Sequence, residues 1–331
     1  MMRAARPLLW PLVPLYRLAT ALREFEFRSG FKRVCRLGWP VVSVGNLSAG
    51  GAGKTPLTIA LARGLAARGF AVDVLSRGYG RKSKRAARVD AQGSAENFGD
   101  EPLLIARSAG VPVYVAAERC IAGLLAELDG MMATPSARVH LLDDGFQHRQ
   151  LHRAIDILLV SRRDLSDHLL PAGNLREPLR AIERAQVIAI PAEEPEVAEW
   201  LAAHGWRGAI WRLRRRMELP AVAGPAAAFC GIARPEQFFA RIEAAGVRLT
   251  ARIAFGDHHR YTERDLARIA SVARDAGATA ILTTEKDRVR LGPLAARLPA
   301  SMPLQTVPLR IEIEDEAAAI AALVCRVRAS A

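Results

Sequence analysis

The stretch that most constrains this chain is Val41-Val42-Ser43-Val44-Gly45-Asn46-Leu47-Ser48-Ala49-Gly50-Gly51-Ala52-Gly53-Lys54-Thr55-Pro56. It reads as a buried strand at Val41 to Val44, a glycine-rich turn, and Lys-Thr opening an apolar helix. Glycines let successive backbone N–H groups converge on an anion, and the start of a helix adds partial positive charge. In a phosphate-binding loop of this kind the lysine reaches the outer phosphates of a nucleotide and the threonine hydroxyl ligates Mg²⁺. The strict pattern has glycine where this chain has Ser48, but Gly50, Gly51 and Gly53 still supply the turn. Ser48, Ala49, Gly50, Gly51, Ala52, Gly53, Lys54 and Thr55 are therefore the expected phosphate contacts. A flexible loop that happens to precede Lys-Thr would not need the strand before it and the helix after it.

Around this loop, apolar runs alternate with helical periodicities. Runs at 70–75, 111–115, 139–144, 156–160 and 187–190 read as strands, with helices between several of them. That alternation predicts an α/β fold, a doubly wound and mainly parallel sheet of the phosphate-loop NTPase type. With 331 residues the chain is long enough for a second core. Composition shifts at 209–225, where a strand at 209–213 is followed by Arg214-Arg215-Arg216, Pro220 and Pro225. We expect a first domain over 1–216, a smaller α/β domain over 217–303, and a return strand and C-terminal helix over 304–331. Residues 304–313 would pair with 209–213 as a two-stranded linker.

Ligands of such sheets bind at the carboxyl ends of the strands. The run Val139 to Leu142 ends in Asp143-Asp144, where a loop-type NTPase keeps its Mg²⁺-holding carboxylate. Asp100-Glu101 open a helix, and helix-start acids already have a structural reason to be there. Arg77, Glu118-Arg119 and Arg176 follow strand ends or lie in irregular loops, where a cation suits an anionic ligand. Asp257-His258-His259 has three readings on spacing alone: a metal site, an acid–base helper, or a polar turn before the helix capped by Thr262.

Net charge is +13 and most of the cations are arginine. Such a surface suits nucleic acid, an anionic membrane or a phosphorylated substrate, and charge alone does not choose. The apolar stretch from Leu8 to Leu22 contains two prolines and Arg17, too short and too broken to span a bilayer. Leu15, Leu18, Leu22 and Phe25 share a helical face, with Arg23, Arg28, Lys32, Arg33 and Arg36 in and after it. Residues 8–28 therefore read as a membrane-interfacial helix or as a helix packed on its own domain. Cys35, Cys120, Cys230 and Cys325 are scattered, without zinc spacing, and are expected as free thiols in the cytosol.

Taken together, these stretches resemble the tetraacyldisaccharide 4'-kinase family of lipid A synthesis. The resemblance rests on the loop above and on Ser76-Arg77-Gly78-Tyr79-Gly80, Gly99-Asp100-Glu101-Pro102 and Asp143-Asp144-Gly145-Phe146-Gln147-His148. It continues through Leu170-Pro171-Ala172-Gly173, Leu175-Arg176-Glu177-Pro178, Phe255-Gly256-Asp257-His258-His259 and Thr284-Glu285-Lys286-Asp287. Asn174 departs from the family pattern, which carries Pro there. The resemblance implies a peripheral enzyme on the cytoplasmic face of a Gram-negative inner membrane. It would pass the γ-phosphate of ATP to the 4'-hydroxyl of a tetraacylated glucosamine disaccharide 1-phosphate. It further implies Lys54 and Thr55 on phosphates and Mg²⁺, Asp143 or Asp144 completing the metal shell, and Glu101 organising metal-bound water. Asp100 would be the general base, His258 its partner, and Arg77, Arg119 and Arg176 the contacts to the substrate head group. Neither nucleic acid nor an obligate protein partner is implied.

Two other classes compete. A regulatory partitioning or metal-insertion ATPase acting at membrane or DNA carries a signature lysine where this chain has Ala49. A membrane-associated binding module would leave Asp100, Asp143 and Asp144 without a purpose.

Overall fold

The computed structural model describes residues 6–51, 53–131 and 137–330. A 3₁₀ turn over Arg6–Leu12 leads into α1 (Val13–Arg28). Then come β1 (Val41–Asn46), α2 (Lys54–Ala66), β2 (Ala71–Ser76), β3 (Ala87–Arg88), α3 (Ala95–Phe98) and α4 (Asp100–Ala109). They are followed by β4 (Val113–Val115), α5 (Arg119–Gly130), β5 (Arg138–Asp143), β6 (Ile155–Leu159) and the short α6 (Arg162–Leu165). Strand β7 (Val187–Pro191), α7 (Pro195–Ala203) and β8 (Ala209–Met217) come next.

These strands, with a late addition described below, form a nine-stranded sheet in the order β13-β8-β7-β6-β1-β5-β2-β4-β3. It is parallel throughout except at its two edges, β3 on β4 and β13 on β8. The doubly wound reading therefore holds. Every residue of β1 is buried, as expected of a strand covered on both faces. Leu57, Leu61 and Leu65 on α2 seal one face, and Leu47, Phe146 and Leu158 belong to the core on the other.

Beyond Met217 a second, four-stranded parallel sheet has the order β10-β9-β11-β12. Its elements are β9 (Ala226–Cys230), α8 (Pro235–Ala244), β10 (Leu249–Ala254), α9 (Glu263–Asp275), β11 (Ala280–Thr284), α10 (Glu285–Leu291) and β12 (Leu304–Val307). The chain closes with β13 (Leu309–Ile313) and α11 (Glu316–Ala329).

Two expectations change here. Arg214-Arg215-Arg216 does not end a strand; it lies inside β8, which runs on to Met217. Period-two alternation explains this, since Trp211 and Leu213 are buried while Arg212, Arg214 and Arg216 are exposed. Across the edge, Arg214 pairs with Glu314 at 2.8 Å and Arg216 with Glu312 at 3.3 Å. Residues 304–313 are also not one strand. Leu304–Val307 joins the smaller sheet beside β11, and Leu309–Ile313 pairs antiparallel with Leu213–Met217 of β8. Pro308, which has no N–H for a ladder, separates them.

The thiol expectation also fails for one pair. Cys35 and Cys120 are joined as a disulfide, with Cα atoms 6.2 Å apart, because the segment leading into β1 lies along α5. Leu37 fills the space beside Gly123 on that helix. A sequence separation of 85 residues hid this proximity. Cys230 is buried and free, and Cys325 is exposed and free.

Helix α1 is inside out for a surface helix. Leu15, Leu18, Leu22 and Phe25 are between 55% and 65% exposed. Its polar side instead meets the protein: the Tyr16 hydroxyl donates to the Arg176 carbonyl at 3.0 Å, and Glu24 pairs with Arg180 at 3.5 Å. Among the described residues no helix is long and apolar enough to cross a membrane.

Gly45 in β1 abuts Phe146. A Cβ there would collide with the Phe146 side chain and stand 2.9 Å from its backbone nitrogen. Gly45→Ala should therefore cost about 1–3 kcal/mol of overpacking. In urea unfolding this would lower the midpoint at unchanged slope.

Candidate active site

The turn after β1 takes the shape its glycines permit. Gly50 and Gly53 have φ of 111° and 97°, and Gly53 caps α2 in the left-handed region. Lys54 opens that helix, and its Nζ donates to Asn46 Oδ1 at 2.9 Å and lies 3.5 Å from Asp144 Oδ1. Thr55 is buried at the helix start and lines the cleft with Gly50, Gly51 and Gly53. Ser48 is buried and forms a bridge to Leu175, while the Ala49 amide donates to the Asn174 carbonyl at 2.8 Å. The 169–178 loop thus backs the phosphate loop, and Asn174 serves through its main chain. Ala52 lies outside the described residues.

Strand β5, next to β1, delivers the two acids. Asp143 is fully buried and accepts from the Thr58 hydroxyl at 3.1 Å. Burial pushes its carboxyl up to about 7, and the nearby charges of Glu101 and Asp144 add to this. Asp144 adopts a left-handed backbone, φ 50°, which turns it off the strand toward Lys54 and Arg176. Burial would raise it, but Lys54 and Arg176 hold it below the usual carboxylate value. Arg176 Nη1 meets both Asp144 oxygens at 3.1 Å.

Asp100 lies in the first turn of α4, just behind the cleft wall. Gly99 before it has φ 90° and comes within 3.1 Å of Gly78 by its would-be Cβ, so the turn tolerates no side chain. Asp100 Oδ1 accepts from the Glu101 amide at 3.0 Å. Its Oδ2 meets His258 Nδ1 at 3.1 Å and Arg290 Nε at 2.7 Å. Burial works to raise the Asp100 carboxyl, but the His258 hydrogen bond and the charges of Arg290 and Lys286 hold it well below the carboxylate range. The same hydrogen bond pushes His258 above its ordinary value, against burial. His258 stands in the left-handed region, φ 57°, and faces the cleft. Glu101 pairs with Lys286 at 2.5 Å.

The acid–imidazole tripeptide does not converge. His258 goes to Asp100, His259 meets Asp265 at 3.2 Å and stacks on Phe255, and Asp257 accepts from the His258 amide. Among the described residues no three acidic, imidazole or thiol side chains are grouped to hold a metal ion by themselves. That leaves the helper and turn readings.

A cleft of about 960 Å³ joins these groups. Arg77, Arg119, Arg176 and His148 line it beside Tyr16 and Arg23 of α1. Arg77 is exposed. Arg119 is buried, donates to the Ala117 carbonyl, and has a buried Nε with no hydrogen-bond partner among the described residues. Burial and the Arg77 charge bring Arg119 down to about 10, so it stays cationic at neutral pH. Burial and surrounding arginines lower His148 to about 3, which keeps its imidazole neutral.

Sequence reasoning gave no role to Arg290, Lys286, Asn46 or Gln147. Asn46 and Gln147 were legible as parts of the quoted motifs, and the Gln147 amide donates to the Asn46 carbonyl at 3.0 Å. Lys286 lies in the quoted Thr284-Glu285-Lys286-Asp287. Arg290 follows one turn later with no local signal at all.

The Arg290–Asp100 pair carries a pH signature. A carboxyl depressed below its unfolded value contributes stability above that value and loses it as pH falls through the folded one. Arg290→Gln should therefore lower stability at neutral pH and flatten the loss between about pH 5 and about pH 3. Urea titrations across that window would read this, and an unchanged slope against pH would place the acid sensitivity elsewhere.

Comparison with known proteins bears on these residues as a set. The model of the family described as Tetraacyldisaccharide-1-P 4'-kinase (LpxK) matches residues 5–328. A tetraacyldisaccharide 4'-kinase of Koribacter versatilis is 40% identical over 320 residues, covering 94% of this chain and 96% of that protein. One from Geobacter metallireducens is 40% identical over 304 residues, covering 86% and 88%. Among solved structures, the "apo" form of LpxK from Aquifex aeolicus in complex with ATP superposes with a TM-score of 0.74 at 31% identity, covering 99% of both chains. This chain belongs to the tetraacyldisaccharide-1-P 4'-kinase family.

Proposed function

We propose that this protein transfers the γ-phosphate of ATP to the 4'-hydroxyl of a tetraacylated glucosamine disaccharide 1-phosphate. The product is the 1,4'-bisphosphate precursor of lipid A. The observation that carries the reading is that the phosphate loop, the acids ending β5 and His258, itself bonded to Asp100, line one cleft, in a chain of this family.

Each residue then has a task set by its surroundings. The phosphate loop and Lys54 bind the phosphates, and Asn46 and Asp144 hold the ammonium group in place. Thr55, Asp143 and Asp144, with Glu101 at one remove, are the groups that would hold Mg²⁺. The fit rests on Asp143, which lines the cleft beside Thr55 and Asp144 and whose carboxyl, raised by burial and then by the neighbouring acids, gains from a cation. When bound, Mg²⁺ neutralises charge on the transferred phosphoryl group. Phosphoryl transfer depends mainly on position and electrostatics, so one carboxylate able to take the hydroxyl proton suffices. We assign that task to Asp100, with His258 bonded to it at the cleft wall. Arg77, Arg119 and Arg176 bind the anionic sugar head group.

The acceptor is a lipid, and α1 supports that reading. Its outward apolar face, beside Arg17, Arg28 and Lys32, suits a peripheral protein resting on the anionic cytoplasmic surface of an inner membrane. The division into 1–216, 217–303 and 304–331 is supported by the two sheets, with Leu304–Val307 assigned to the smaller one. The partitioning-ATPase alternative is not favoured: Ala49 replaces its lysine, and the relatives are kinases by name.

The decisive assay is ATP-dependent phosphate transfer to a tetraacyldisaccharide 1-phosphate, with plain ATP hydrolysis as control. In it, Asp100→Asn should lower turnover about 10²–10⁴-fold while ATP affinity changes little. Equal losses in both would make Asp100 a binding group. Leu18→Asp combined with Leu22→Asp, both on the exposed face of α1, should reduce vesicle co-flotation without lowering the unfolding midpoint. Undiminished flotation would remove α1 from the membrane contact.

A further inference from the structure

Helix α5 turns its small residues inward and its large ones outward. Ala122, Gly123 and Ala126 are buried, and Leu37 fills the space beside Gly123. On the outer side, Ile121, Leu124, Leu128 and, just past the helix end, Met131 are between 47% and 74% exposed. Their spacing of three, four and three residues sets them along one stripe of the helix. A single exposed leucine needs no explanation, but four large apolar side chains on one stripe mark a contact surface.

The stripe continues beyond the helix. Cys120, in the first turn of α5, is bonded to Cys35. Beside Cys35, Val34 is exposed, and Phe31 three residues earlier is more so. The Phe31 ring stands 6.4 Å from that of Phe25, the last residue of the exposed face of α1. An apolar surface therefore runs from Leu15 on α1, through Phe31 and Val34, to Leu128 on α5. Arg33 and Arg36 are exposed within the connection and make no ion pair among the described residues. The acids of α5 are already engaged, Glu127 by the Trp39 amide at 2.9 Å and Asp129 by the Tyr114 hydroxyl at 3.0 Å. Glu118 stands exposed just before the helix.

Arg119 opens α5 and lines the cleft, and Tyr16 and Arg23 of α1 line it too. Two helices that frame one cleft thus both carry exposed apolar stripes, joined by a segment with free cations. We infer that α5 and residues 31–36 form a second lipid-contacting face, which rests together with α1 on an anionic bilayer. Leu124 and Leu128 enter the acyl boundary, and Arg33 and Arg36 meet lipid phosphates at its surface. A single helix lying in the interface leaves a protein free to roll about the helix axis. A second line of contact removes that freedom and holds the cleft mouth against the bilayer. The inference rests on the membrane reading of α1 given above and extends it to residues outside that helix.

The test is co-flotation of the full chain with vesicles of phosphatidylethanolamine and phosphatidylglycerol, and with vesicles of phosphatidylcholine alone. Leu124→Asp with Leu128→Asp should weaken partition to the anionic vesicles about tenfold or more, at an unchanged unfolding midpoint. Arg33→Gln with Arg36→Gln should weaken it about tenfold and leave partition to phosphatidylcholine within about twofold. Leu128→Trp keeps the site apolar, and its added emission should be quenched by lipids brominated along the acyl chain. The inference is overturned if that emission stays unquenched while the protein floats, or if the double aspartate variant floats undiminished. It is overturned too if those aspartates convert a dimer to a monomer in sedimentation without lipid, since a second copy would then cover α5. Leu18→Asp with Leu22→Asp separates the two levels: loss of flotation there, with the α5 variants unaffected, keeps α1 and discards α5. If neither pair alters flotation, or the unaltered protein does not float, both contacts fall.

Discussion

Asp100 remains an anion with its side chain 7% exposed because cations from the other sheet come to it. A buried carboxylate without partners would take a proton or unfold its surroundings. Arg290 supplies the charge at Oδ2, His258 shares that oxygen, and Lys286 does the same for Glu101 next door. Arg290 is itself fixed, by Asp287 at 3.0 Å and by the Gly231 carbonyl. Residues of the smaller sheet's domain therefore hold the acids of α4 in their charged form, and these ion pairs bolt the two parts of the chain together. Removing one partner of such a pair is far more damaging than never having had it, since the other charge stays buried.

The same logic runs along β5. Asp143 and Asp144 are adjacent in sequence but opposite in character, one raised and one lowered. The difference comes from the left-handed turn at Asp144, which swings it to Lys54 and Arg176 and leaves Asp143 inside. Left-handed backbone at a non-glycine costs about 1–3 kcal/mol, and both Asp144 and His258 adopt it. Two residues of the cleft thus sit in conformations that only their surroundings enforce.

Much of this was legible in sequence, because strands, glycine turns and helix starts are local. The phosphate loop, the acids at the end of β5 and the helix opening at Asp100 could be placed from spacing alone. What escaped was non-local. Arg290 shows no motif and matters only because α10 packs on α4. The run Arg214 to Arg216 reads as the end of a strand because three successive arginines hide the alternation that carries β8 on to Met217. Cys35 and Cys120 looked unrelated because the partner segments lie far apart in the chain. Residues 304–313 looked like one strand because the interruption is a single proline. His258 was ambiguous on spacing, and its direction became readable only against Asp100.

Helix α1 is attached through hydrogen bonds and ion pairs, not through a greasy seam. Tyr16 holds the backbone of Arg176, Arg176 holds Asp144, and Asp144 stands 3.5 Å from Lys54. Four residues thus connect the outermost helix to the lysine that opens α2. Such contacts are directional, so a tilt or a change in depth of α1 alters their lengths where an oily interface would simply slide. The seating of the helix and the position of the Lys54 ammonium group are thereby linked through one chain of directional contacts.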